Sequence, residues 1–181
     1  KKEKLINFKA NKNQLFSIIK NHELYQLLNK DLSKSKFFKS RFSTEKNLSF
    51  LNKYDLVINC DPFNFITKRY FSKKISKEYN STAYTTIISH DEIINDTAVQ
   101  IFTKKGPLAF LPISNKKTSI VYSIHNSNNL EEENIKELIK DKNFYYKISE
   151  VEKINSFELK SFNLRSYYHK NILAFGDLLH K

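Results

Sequence analysis

The chain has 181 residues, 40% of them apolar and 14% aromatic, which is enough to bury a core and too apolar for a disordered tail. Its formal charge of +12 rests almost wholly on Lys, with Arg only at Arg41, Arg69 and Arg165; sequence-reading nucleic-acid proteins lean on Arg forks, so no nucleic-acid partner is expected. The single Cys60 excludes an internal disulfide framework and a cysteine metal cluster, no run reaches the ~20 apolar residues of a membrane span, and a reducing, cytoplasmic setting is expected.

Apolar residues at 15, 16, 18, 19, 24, 25, 27 and 28 predict a helix from Asn13 to about Asn29, with Asn11 or Asn13 as N-cap. Phe37 to Phe42 reads as a short strand, and residues 43–54 as turn-like. Asp55-Leu-Val-Ile-Asn-Cys60 has the short apolar run of a buried α/β strand, closed by Asp61-Pro62. Residues 63–80 read as polar, with a basic cluster at Lys68, Arg69, Lys73 and Lys74. Thr82–His90, Thr97–Thr103 and Thr118–His125 are strand candidates rich in Thr, Ile, Val and Tyr. Between the last two, Gly106-Pro-Leu-Ala-Phe-Leu-Pro112 reads as a strand with abrupt or bulged edges. Leu130 to Lys142 opens with acid in the first turn and continues with Ile135, Leu138 and Ile139 at helical spacing. Phe157–Leu164 and Ile172–Phe175 are the last strands. The order of elements predicts an α+β fold with a mixed or antiparallel sheet, plus remnants of an α/β nucleotide domain.

Only Gly106 and Gly176 occur, so neither a G-x-G-x-x-G nor a P-loop phosphate cradle is present in this stretch. Two strands end in an acid at their carboxyl edge, at Asp61 and at Asp177. Ligands of open α/β sheets bind outside such edges, where a carboxylate can accept hydrogen bonds from ribose or ribityl hydroxyls. Gly176, just before Asp177, permits close backbone approach. His22, His90, His125, His169 and His180 have no metal-ligand spacing, so no metal is expected. Cys60 is expected to be an inert buried thiol, and no catalytic residue is assigned. Tyr145-Tyr146 and Tyr167-Tyr168 are expected to be core or domain-contact aromatics.

Three segments in order carry a resemblance: Asp55–Asp61, then Gly106–Pro112 followed by Ser119-Ile-Val-Tyr122, then Ile172-Leu-Ala-Phe-Gly-Asp-Leu-Leu-His180. Together they resemble the flavoprotein monooxygenases related to 4-hydroxybenzoate hydroxylase. The Gly-Pro segment resembles the ubiquinone-biosynthesis branch, the 2-octaprenyl-6-methoxyphenol hydroxylase-like enzymes. The resemblance implies FAD as cofactor, NAD(P)H as reductant and O₂ as oxidant, acting on a phenolic, polyprenylated ring. It implies that Asp177 and Gly176 meet the flavin ribityl chain and that Asp61 and Arg69 are cofactor-binding. Asn64 matches an Asn of the family's pattern. Pro62 stands where the family has Gly, and Leu178-Leu179 where it has Ala-Ala.

The resemblance also implies domains: partial FAD-domain elements over 1–61, a substrate-binding α+β domain over 62–164, and a return towards the FAD domain over 165–181. The chain is expected to be an internal piece of a longer enzyme and to be inactive alone. An anionic membrane surface, peripheral to the inner membrane, and other ubiquinone-biosynthesis proteins are the expected partners besides substrate. A flavin-free relative that binds or assembles lipid intermediates is the alternative.

Overall fold

The structure, a computed structural model, describes residues 6–8, 15–40, 48–125 and 130–179. In chain order it forms α1 (Asn21–Leu32), a 3-10 turn (Leu48–Lys53), β1 (Val57–Asn59), α2 (Phe65–Tyr70), β2 (Lys74–His90), β3 (Val99–Thr103), β4 (Gly106–Ser114) and β5 (Lys117–His125). Then come α3 (Glu132–Lys142), β6 (Ile148–Val151), β7 (Asn155–Leu164), β8 (Tyr168–His169), β9 (Ile172–Ala174) and a last 3-10 turn (Gly176–Leu178).

The strands sort into two sheets. The larger is antiparallel, in the order β3-β4-β5-β2-β6, with β7 also paired to β2. Period-two alternation gives it two unlike faces. Thr118, Ile120, Tyr122 and Ile124 of β5, Leu108 and Phe110 of β4, and Tyr84 and Ile88 of β2 are buried on one face. There α3 covers them with Ile135 and Ile139, each contributing roughly 1.5–3 kcal/mol by burial. The helix forms there because its apolar residues recur at i, i+3 and i+4 while Glu132 and Glu133 sit in the first turn and Lys140 and Lys142 in the last. Lys136 bridges Glu132 at 3.1 Å and Glu133 at 2.8 Å.

Buried polar groups under this layer pair with each other. His90 Nε2 lies 2.9 Å from Thr118 Oγ1, Asn95 Nδ2 donates to the same hydroxyl at 2.9 Å, and Tyr146 Oη donates to Asn95 Oδ1 at 3.1 Å. The His90 and Tyr146 rings meet at 4.6 Å.

The smaller sheet is β1-β9-β8, with β1 parallel to β9 and β8 antiparallel to it. Leu51, Phe71, Leu164, Ile172, Ala174 and Leu178 form its own core. β2 links the two sheets. Its first half, Lys74 to Glu78, pairs with the end of β7, and its second half lies in the middle of the large sheet. Between Glu78 and Thr82 the register shifts: β2 advances four residues while β7 advances two, from Lys160 to Glu158, and Asn80 takes φ 48°.

Several local expectations are corrected. The first helix begins at Asn21 rather than Asn13, with Lys20 at the N-cap. Leu15, Phe16, Ile18 and Ile19 are exposed, so burial there does little to propagate the helix backwards; Asn11 and Asn13 lie outside the described residues. Phe37 to Ser40 form no strand, having no pairing partner among the described residues, and residues 41–42 lie outside them. The polar stretch 63–80, to which no element was assigned, holds α2 and the first part of β2; that strand part depends on a distant partner, Lys74 pairing with Leu164 and Glu78 with Lys160, which local pattern does not show. Cys60 is exposed rather than buried, because it lies just past the last paired residue of β1. Of the four tyrosines, Tyr146 is a core residue, whereas Tyr145, Tyr167 and Tyr168 are exposed. The bulged edge of the Gly106–Pro112 strand is present, as a register shift between Pro112 and Ser114.

Candidate functional site

The parallel pairing of β1 and β9 brings the two acidic strand ends to one edge. Asn59 is opposite Ala174, so Asp61 and Asp177 follow two and three residues beyond a common row. Phe175 N donates to Asn59 O at 3.0 Å and closes the pair at that edge.

The two acids are not equivalent. The Asp61 carboxylate turns back and accepts from Phe63 N at 2.7 Å, an Asx-turn built around Pro62. Asn64 then caps α2, its Oδ1 accepting from Thr67 N at 2.9 Å. Asp177 is exposed in the Gly176–Leu178 turn, and among the described residues its carboxylate has no hydrogen-bond partner. Gly176 adopts φ +63°, and a Cβ built there meets nothing within 4 Å. The backbone at Gly176-Asp177 is thus open on the side where a ligand would approach. His180, which follows in the motif, lies outside the described residues.

Sequence reasoning missed the residues that hold this edge. Asn59 is buried; its Nδ2 donates to Thr67 Oγ1 at 2.8 Å and its Oδ1 accepts from Asn64 Nδ2 at 2.6 Å. Thr67 Oγ1 donates in turn to Asp61 O at 2.6 Å. The signal was present in one polar residue inside an otherwise apolar strand, followed by Asn-x-x-Thr at capping distance.

Arg69 is elsewhere. It lines a cleft at the opposite, amino end of the small sheet, with His169 and Lys170.

The uncovered face of the large sheet is the other feature with room for a ligand. Cross-strand pairing sets Ala109 beside Val121 and Val121 beside Thr85, and sets Leu111 beside Ser119 and Ser119 beside Ile87. Most of these side chains are half-buried, and Phe102 and Phe157 at the flanks are exposed. The result is an apolar wall of small and branched side chains without a covering element among the described residues. Among those residues, no group of three or more His, Cys, Asp or Glu comes together, and no helix is long and apolar enough to cross a membrane.

The sequence matches no protein-family model and no curated protein. Among solved structures it is similar to the flavin-dependent brominase Bmp2, solved as a triple mutant, at 10% identity over 70% of this chain and 36% of that one, with a TM-score of 0.53. It is similar to CmlS, a flavin-dependent halogenase, at 13% identity over 69% of this chain and 26% of that one, with a TM-score of 0.50. A third match, CabE, an aromatic hydroxylase from angucycline biosynthesis, has 13% identity over 69% of this chain and 27% of its own, with a TM-score of 0.48. The chain spans about a quarter to just over a third of these proteins. The chain therefore shares the α+β fold found within flavin-dependent halogenases.

Proposed function

We propose that this chain is the substrate-side portion of an FAD-dependent aromatic monooxygenase that hydroxylates a phenolic ring. The observation that carries the reading is the parallel β1–β9 edge, where an exposed Asp177 follows an open, positive-φ Gly176. These residues fit a flavin: Asp177 would accept hydrogen bonds from ribityl hydroxyls, and Gly176 would let the chain pass close to the backbone. Bound there, FAD would supply the oxygen-activating redox chemistry, drawing electrons from NAD(P)H.

The protein's own residues would position and shield. The Asn59–Thr67–Asn64 network keeps the edge rigid, so that Asp177 needs no rearrangement on binding. The wall of Ala109, Val121, Thr85 and Ile87 would exclude water and lie along an aromatic ring bearing a polyprenyl tail, as in a ubiquinone precursor. The fold shared with flavin-dependent halogenases supports this reading, as does the chain order of the three segments.

The test uses the full-length protein carrying this segment. It is expected to purify with visible flavin absorbance, and Asp177→Ala to lower flavin affinity by about tenfold, near 1.4 kcal/mol. A colourless protein that takes up no added FAD overturns the reading. A flavin-free lipid-binding relative is the second reading, favoured by Asp61, whose carboxylate is already engaged by its own turn; binding of a prenylated phenol without flavin would establish it. The Lys-rich surface would hold either protein at an anionic membrane, and co-sedimentation with liposomes that ignores lipid charge would exclude this.

A further inference from the structure

A second polar site lies at the amino end of the small sheet. A cleft of about 180 Å³ opens between the Leu48–Lys53 turn, the end of α2 and the β8–β9 turn. Arg69, His169 and Lys170 line it, and among the described residues no Asp or Glu does. Among the described residues none of the three is ion-paired.

The arrangement is built rather than incidental. The His169 ring stacks on Tyr70 at 4.3 Å and 15°. The Arg69 guanidinium carbon lies 5.8 Å from the centre of the same ring, so one tyrosine orients two of the three donors. Lys170 adopts φ 52°, a left-handed conformation uncommon for Lys. That turn is held from beneath: Asn171 Nδ2 donates to Leu51 O at 3.0 Å and to Tyr54 O at 2.7 Å.

Charge decides what such a cleft takes. The end of α2 contributes at most about half a negative charge through its dipole. Arg69 and Lys170 each carry a full positive charge, so the net field is cationic. The volume is below the ~300–1,000 Å³ of a drug-sized pocket. We propose that this cleft binds the phosphate or diphosphate group of a small soluble molecule, with Arg69 as a bidentate donor and Lys170 as the second charge. The site is at the opposite end of the strands from Asp177 and does not depend on the flavin reading.

Pyrophosphate and inorganic phosphate, titrated calorimetrically into the 181-residue chain at low ionic strength, test this. One saturable site is expected, which ADP occupies competitively. Arg69→Gln and Lys170→Asn should each weaken it by about fivefold or more, and together abolish measurable saturation; Asn tolerates the positive φ, so the turn survives. Arg69→Lys should retain part of the affinity, and Lys34→Gln, in the exposed segment after α1, should leave it unchanged. Unchanged affinity in the folded double variant overturns the proposal, as does binding only to phosphatidylglycerol vesicles with none to pyrophosphate or ADP.

Discussion

The two glycines show how the same residue serves two physical ends. At Gly106, φ is +140° and a Cβ would be driven into the Ser123 carbonyl of the neighbouring strand. Backbone cannot yield as a flexible side chain can, so Gly106→Ala is expected to cost about 3 kcal/mol or more in urea unfolding. At Gly176 the space is open, and only the left-handed φ penalises a side chain. Gly176→Ala should cost about 1 kcal/mol by the same measurement, with the larger loss appearing in flavin affinity of the full-length protein. Tyr146 supplies a pH signature. Its burial pushes the phenol above its ordinary value, against a hydrogen bond from Thr118 that lowers it. The fold thus favours the protonated form, whose stabilisation is complete below the unfolded value near 10 and is lost as pH rises from there through the folded value. Tyr146→Phe should remove that alkaline slope in urea midpoints, while costing about 1 kcal/mol at neutral pH through the lost bond to Asn95.

Helices α1 and α3 look alike in sequence, each with apolar residues at helical spacing, yet they contribute differently. Ile135 and Ile139 of α3 are buried in the main core, whereas α1 has no buried residue. Ile139→Ala should destabilise by about 2–5 kcal/mol, and Leu27→Ala in α1 by less than about 0.5 kcal/mol, both read from chemical denaturation. Periodicity alone does not separate the two, because it reports a face and not what covers it. β3, β4, β5 and α3 were legible because their patterns are local and long. α2, β6 and β8 were not: they span six, four and two residues and depend on distant partners. Asp61 and Asp177 were legible as strand ends, but their difference was not. It arises from the Asp61–Phe63 turn, which engages one carboxylate with the Phe63 N–H while both acids stay exposed. Arg69 was read as cofactor-binding because Lys68 or Arg69 falls where the family it resembles has a basic residue; α2 sets it beside His169 and Lys170 at the other end of the sheet from Asp177.

At the scale of the molecule there are two cores, one under α3 and one around β1 and β9, and β2 runs from the edge of the second into the centre of the first. Leu164 at the end of β7 donates its N–H to Leu179 O at 3.1 Å, just past the last 3-10 turn, and Arg165 its own to Lys73 O at 3.0 Å, which closes the β2–β7 pair at that end. Its pairing lapses only at the register shift around Asn80. The two cores are therefore spliced by one strand whose ladder with β7 has a single break, so a substitution at Asn80 bears on the junction between the cores rather than on the packing of either one.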